Sequence, residues 1–229
     1  YSMHWFRIWN FSRKKKWDLV IDLRSSSLAF FLNAKKRLIF KGDNNDHKLR
    51  QLQIFIESDK ELKTCIWADK KKYESIKEKK EIEKKYICFA PISNFPPKDW
   101  SVGKYLELFK NDLFDNFQIV LLGATSNEED LNNINKLINA STKSINNLIN
   151  NADMIETYFI LKDSAMFIGS DSSNMHLSVA ANIPTIGLFG PTDEKLYGPL
   201  GESNLSIRGD KTHLEIINQT DYKSGEIKS

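Results

Sequence analysis

The run Gly169-Ser170-Asp171-Ser172-Ser173-Asn174-Met175-His176 has the strongest chemical character in the sequence. Apolar residues precede it, small polar residues fill it, and helical spacing follows. The first amides of a helix have no intrahelical partner, and the helix dipole is positive there, so a phosphate is well held at such a terminus. The alternative is structural: Asp171 or Ser172 caps the helix, and His176 packs. A second group is Ser93-Asn94 with Lys98 and then Trp100, which follows the apolar stretch 86–90. Lys98 can reach an anion there, with Ser93 and Asn94 donating to it; the plainer alternative is a polar loop with an exposed lysine. A third is Gly123-Ala124-Thr125 with Glu128, whose carboxylate can accept from two ribose hydroxyls. Thr125 and Glu128 also fit a capping box. Gly190-Pro191-Thr192-Asp193 with Gly198-Pro199 marks a further loop. The chain has no HExxH, no clustered His and Cys, no GxSxG and no Walker loop, so neither a metal site nor a nucleophile stands out.

These residues need elements to hold them. Apolar stretches at 86–90, 118–122, 165–169 and 184–189 read as strands buried on both faces. Helical spacing lies between them. Val102, Tyr105, Leu106 and Phe109 form one stripe; Ser126 with Glu129 reads as a capping box ahead of Leu131, Ile134 and Ile138; Asp153 with Glu156 reads as another, leading a helix to about Lys162; and 172–181 reads as a helix. Strand and helix in alternation imply an α/β domain with a parallel sheet, whose ligands bind beyond the carboxyl ends of the strands. Upstream, 17–23 and 37–40 read as strands, 25–32 as a short helix and 47–57 as a longer one. The stretch 69–85 is charged, lysine-rich and free of glycine and proline, as a solvated helix joining two domains would be. All 6 prolines follow it. The expected division is therefore 1–85, a partial N-terminal domain with its connecting helix, and 86–229.

Composition narrows the class. Of 229 residues, 41% are hydrophobic and 28% charged, as in a soluble globular protein. A net charge of +3 is too small a surplus for a nucleic-acid-binding protein. Arg13-Lys14-Lys15-Lys16 and the stretch 70–85 are solvated faces or weak attractors of an anionic membrane surface. Cys65 and Cys88 have neither metal-ligand spacing nor the number a disulfide framework needs, which fits a reducing compartment. No apolar run is long enough for a membrane span, and the chain opens at Tyr1 without a signal-peptide pattern.

Taken in order, these pieces resemble glycosyltransferase family 9, the lipopolysaccharide heptosyltransferases. The resemblance rests on Asp171-Ser172-Ser173-Asn174-Met175-His176-Leu177, Ala180-Ala181, Pro184-Thr185 and Leu188-Phe189-Gly190-Pro191-Thr192-Asp193, with Lys98-Asp99-Trp100 and Trp17-Asp18-Leu19-Val20-Ile21-Asp22-Leu23 in support. It implies a GT-B fold with two Rossmann-like domains, the N-terminal one incomplete and facing the acceptor, the C-terminal one binding the nucleotide sugar. It implies inverting, metal-free and cofactor-free transfer of heptose from ADP-heptose to the lipid A–core oligosaccharide, in the cytoplasm at the inner membrane surface. Ser93, Asn94 and Lys98 would hold the diphosphate, Glu128 the ribose, and Asp171, Ser172, Ser173 and His176 the sugar-diphosphate pocket. The family's glycine is replaced by Ser173. Its opening strand, Gly-Asp turn and catalytic aspartate have no counterpart, and the base is expected to precede Tyr1. Alternatives are a GT-B transferase of another nucleotide sugar and a non-catalytic nucleotide-sugar-binding module. The tail 203–229 resembles nothing in the family.

Overall fold

The structure is a computed structural model that describes residues 2–69, 71 and 75–219. The chain divides into two compact units, Tyr1–Leu62 and Lys63–Ser229.

In the first unit, helix α1 (Ser2–Ser12) leads into strand β1 (Trp17–Asp22), which pairs in parallel with β2 (Ala34–Ile39). A 3-10 turn at Ser27–Phe31 makes the crossover. Helix α2 (Lys48–Phe55) follows, with His47 as its N-cap. Asp22 closes β1 by accepting from the amides of Arg24 (2.8 Å) and Ser26 (2.6 Å). These bonds, the Arg24 amide's first, hold its carboxyl below the ordinary value.

The boundary lies upstream of the one expected near Lys85, because the connecting stretch packs on the second unit. Within 69–85 the described helix is the short α3 (Ile76–Lys79), not one long solvated helix; residues 70 and 72–74 lie outside the described residues. Ile66, Ile76 and Ile82 join the second unit's core. The Asn146 side chain donates to the Glu81 carbonyl at 3.1 Å. Lysines on the outer face hide this apolar stripe from a reading by composition.

The second unit holds a 6-stranded parallel sheet, ordered β5-β4-β3-β6-β7-β8. Its strands are β3 (Tyr86–Ala90), β4 (Gln118–Leu121), β5 (Ile145–Asn147), β6 (Phe167–Ser170), β7 (Thr185–Phe189) and β8 (Asn204–Arg208). Between them run α4 (Val102–Phe109), α5 (Glu128–Ala140), α6 (Met154–Lys162), α7 (Ser173–Ala180) and α8 (Glu194–Tyr197), with α9 (His213–Ile217) last. β3 pairs with β4 on one side and β6 on the other, so the winding reverses between β3 and β6. That is the doubly wound order, whose crevice opens at the reversal.

Alternation along the strands builds a core on each face. Tyr86, Cys88 and Ala90 of β3 face one cluster with Phe167, Met175 and Leu177. Ile87 and Phe89 face the other with Tyr105, Phe109, Ile134 and Leu137. Burial pushes the Cys88 thiol up to about 12, so it is an inert apolar group. Gly187 is a packing requirement: a Cβ there would meet Met175 Sδ at 2.6 Å, so glycine lets α7 lie close on β7.

The capping box at Asp153–Glu156 starts α6 as expected. The start of α5 differs. Asn127 is its N-cap, accepting from the Glu129 amide at 2.8 Å, so neither Ser126–Glu129 nor Thr125–Glu128 forms the box. Part of the tail 203–229 also folds, as β8 and α9, while 220–229 lies outside the described residues.

Candidate functional site

The loops beyond β3 and β6 meet at the reversal of the sheet. After β3 the chain turns at Ser93, whose hydroxyl donates to the Phe95 carbonyl at 2.9 Å. Pro96 and Pro97 then impose a 3-10 turn ending at Lys98. Trp100 locks this loop down by stacking edge-on against buried Tyr105, 5.1 Å between centroids. Lys98 is thereby aimed across the crevice, where its Nζ donates to Asp171 Oδ2 at 2.8 Å and approaches the Asp171 carbonyl at 3.3 Å. Asp171 is 7% exposed, so the lysine neutralises a carboxylate held out of water. His176 Nε2 lies 3.7 Å from Asp171 Oδ1, one turn into α7.

Ser172 is the N-cap of α7, yet its side chain makes no capping hydrogen bond. Its Oγ is shielded and has no hydrogen-bond partner. The Oγ of fully buried Ser170 is likewise unpartnered. Shielded hydroxyls without partners are costly and uncommon in a folded chain.

A cavity of about 390 Å³ opens here, within the size range of small-ligand sites. Ser93, Asn94, Lys98, Asp171, Ser172 and Ser173 all line it, as do Asn174 and Phe95. His176 stands beside it through Asp171. Glu128 is not among the lining residues: it is the exposed first residue of α5, and its loop reaches the cavity through Gly123 and Ala124 instead. Ala152, Met154 and Thr157, from the entry to α6, also line the wall and were not singled out from sequence. The signal that could have found them is the Asp153–Glu156 box, since it marks a helix start beyond a strand end. Among the described residues, no group of three or more His, Cys, Asp or Glu could hold a metal ion. No described helix is long and apolar enough to cross a membrane.

Comparison with known proteins decides the family. The model of glycosyltransferase family 9 (heptosyltransferase) matches residues 47–224, which includes every residue lining the cavity and, against the expectation for 203–229, the tail as far as 224. The chain belongs to glycosyltransferase family 9. Lipopolysaccharide heptosyltransferase 2 of Escherichia coli K12 is 28% identical over 128 residues, 55% of this chain and 37% of the relative. Lipooligosaccharide heptosyltransferase 2 of Campylobacter jejuni serotype O:6 is 24% identical over 213 residues, 88% of this chain and 66% of the relative. The chain thus spans between about a third and two thirds of the length of these relatives. The structure of E. coli ADP-heptose LPS heptosyltransferase II matches 97% of this chain and 78% of its own, with a TM-score of 0.74 and 18% identity. The family 9 structure from Veillonella parvula matches at 0.75, with 15% identity, covering 98% of this chain and 71% of its own. These likenesses establish the fold as the α/β, GT-B type of the family, with parallel sheets. In this fold Lys98 and Asp171 meet beyond the carboxyl ends of β3 and β6, at the reversal of the sheet.

Proposed function

We propose that this chain supplies the nucleotide-sugar site of an inverting glycosyltransferase that moves heptose from ADP-heptose to lipopolysaccharide core. The observation carrying this reading is the cavity at the sheet reversal, where Lys98 and the N-terminus of α7 converge with the unpartnered Ser172 hydroxyl. When a glycosyl group leaves a nucleoside diphosphate, negative charge grows on the departing phosphate. An ammonium and a helix N-terminus fixed beforehand at that point stabilise the charge through the transition state. Positive charge from Lys98 takes the part that a metal plays in other transferases, so donor binding is proposed to need no metal. Lys98 must exchange its bond to Asp171 for the incoming phosphate, and Asp171 is then free to accept from sugar hydroxyls. The acceptor hydroxyl requires a general base, which is assigned to no described residue. The exposed run Arg13–Lys16 supports an acceptor presented at an anionic membrane surface.

A calorimetric panel of ADP-heptose, UDP-glucose and GDP-mannose tests the reading. ADP-heptose should bind at least about tenfold more tightly than the others, a difference of about 1.4 kcal/mol. Equal or tighter binding of a uridine or guanosine sugar would contradict the donor assignment.

A further inference from the structure

We propose that Asn150 is a positioning residue that sets the width of the nucleobase end of the cavity. The inference rests on the nucleotide reading given above. The sheet order places the loops after β4 and β5 side by side, on the far side of β3 from Asp171. Those loops supply Gly123, Ala124, Ala152 and Met154 to the cavity wall. Their small and apolar side chains suit a flat base, whereas the phosphates belong with Lys98.

Asn150 fastens the two loops to one another. Its backbone amide donates to the Gly123 carbonyl at 3.0 Å. Its Oδ1 accepts from the Thr125 amide at 2.9 Å, and its Nδ2 donates to the Thr125 carbonyl at 2.8 Å. The side chain therefore pairs with both faces of one residue in the opposite loop. Thr125 is held from its other side as well: its Oγ1 donates to buried Asp130 at 2.9 Å and accepts from the Asn127 amide at 3.0 Å. The bracket thus runs from α6's entry through Asn150 and Thr125 to the start of α5.

Asn150 has a φ of 61°, in the left-handed region. Glycine and asparagine are the residues that adopt it most readily, and only asparagine also brings an amide able to bracket a peptide. Asn150 is itself exposed and does not line the cavity, so it acts through the loops it joins.

Titration of ADP and of inorganic pyrophosphate against the wild-type chain, Asn150→Gly and Asn150→Asp separates the possibilities. Glycine keeps the left-handed backbone and removes the side-chain bracket, so Asn150→Gly should fold with a melting temperature lowered by only about 2–4 °C. Its ADP affinity should fall roughly three- to tenfold, as expected for loss of exposed hydrogen bonds, while pyrophosphate affinity stays within about twofold. Asn150→Asp keeps the acceptor for the Thr125 amide and should fall between the two. ADP affinity unchanged in Asn150→Gly, or ADP and pyrophosphate weakened together, would overturn the inference. A wild-type chain that binds pyrophosphate no more weakly than ADP has no base end, and there the nucleotide reading itself fails.

Discussion

Lys98 and Asp171 hold each other across the crevice, so an entering anion must compete with a carboxylate for the same ammonium. The pair is largely shielded, its side chains 21% and 7% exposed, and removing either partner leaves the other charge poorly solvated. Asp171 is therefore placed to compete with simple anions for Lys98. Asp171→Asn should tighten inorganic pyrophosphate binding several-fold, because Lys98 is released and a repelling charge removed; weaker binding in a titration would show that the carboxylate is itself needed to hold the phosphates. The types of these residues were legible in the sequence, since small polar residues and a lysine after apolar strands point to strand-end loops. Their pairing was not. Lys98 and Asp171 are far apart in the chain, and only the sheet order brings them to one crevice. Glu128 stands outside the cavity lining: a carboxylate just beyond a strand invites a ligand role, and here it is the exposed first residue of α5, after the Asn127 N-cap. Nothing in the sequence marks Asn150, because its value lies in a backbone conformation that the sequence does not display.

At the scale of elements, β3, β4, β6 and β7 were readable because helices cover both faces and leave their stretches apolar. β5 and β8 were not. They are the edges of the sheet, and β8 alternates between partly buried and exposed residues inside a polar tail. Yet β8 has a specific task. Arg208, at its end, donates Nε to Glu194 Oε2 at 2.9 Å and reaches the carbonyls of Gly190 and Thr192, fastening the Gly-Pro-Thr-Asp loop to the sheet. The Arg208 side-chain hydrogen bond is the chief cause that lowers the Glu194 carboxyl below its ordinary value. A lowered folded-state value contributes stability that is present above the unfolded value and lost as pH falls through the folded one. The wild type should therefore lose part of its melting-temperature advantage over Arg208→Met as pH drops from 7 to below the ordinary glutamate range. A difference in melting temperature that stays constant over that span would show that the ion pair adds nothing to the clamp.

Across the whole molecule, the candidate site lies within one unit. Every residue lining the cavity falls in Lys63–Ser229, so the donor recognition proposed above belongs to that unit. The composition shift near Lys85 lies downstream of the division between Leu62 and Lys63. Lysines dominate the count between 69 and 85, while Ile66, Ile76 and Ile82, which decide the packing, are too few to alter it. The α/β class with a parallel sheet followed from alternation, because a parallel sheet needs a crossover between successive strands and those crossovers are helical here, whereas the GT-B type followed from the family resemblance. The proposal is that this cavity holds a nucleoside diphosphate by Lys98 and a helix terminus, with no metal. Calorimetric titration of ADP in EDTA, on the wild type and on Lys98→Ala, tests it most directly. A charge-assisted bond contributes about 1.5–3 kcal/mol, so the wild type should bind one ADP and Lys98→Ala should bind it roughly 10- to 150-fold more weakly. Binding that vanishes in EDTA and returns with Mg²⁺, or that is the same in the two proteins, would contradict it.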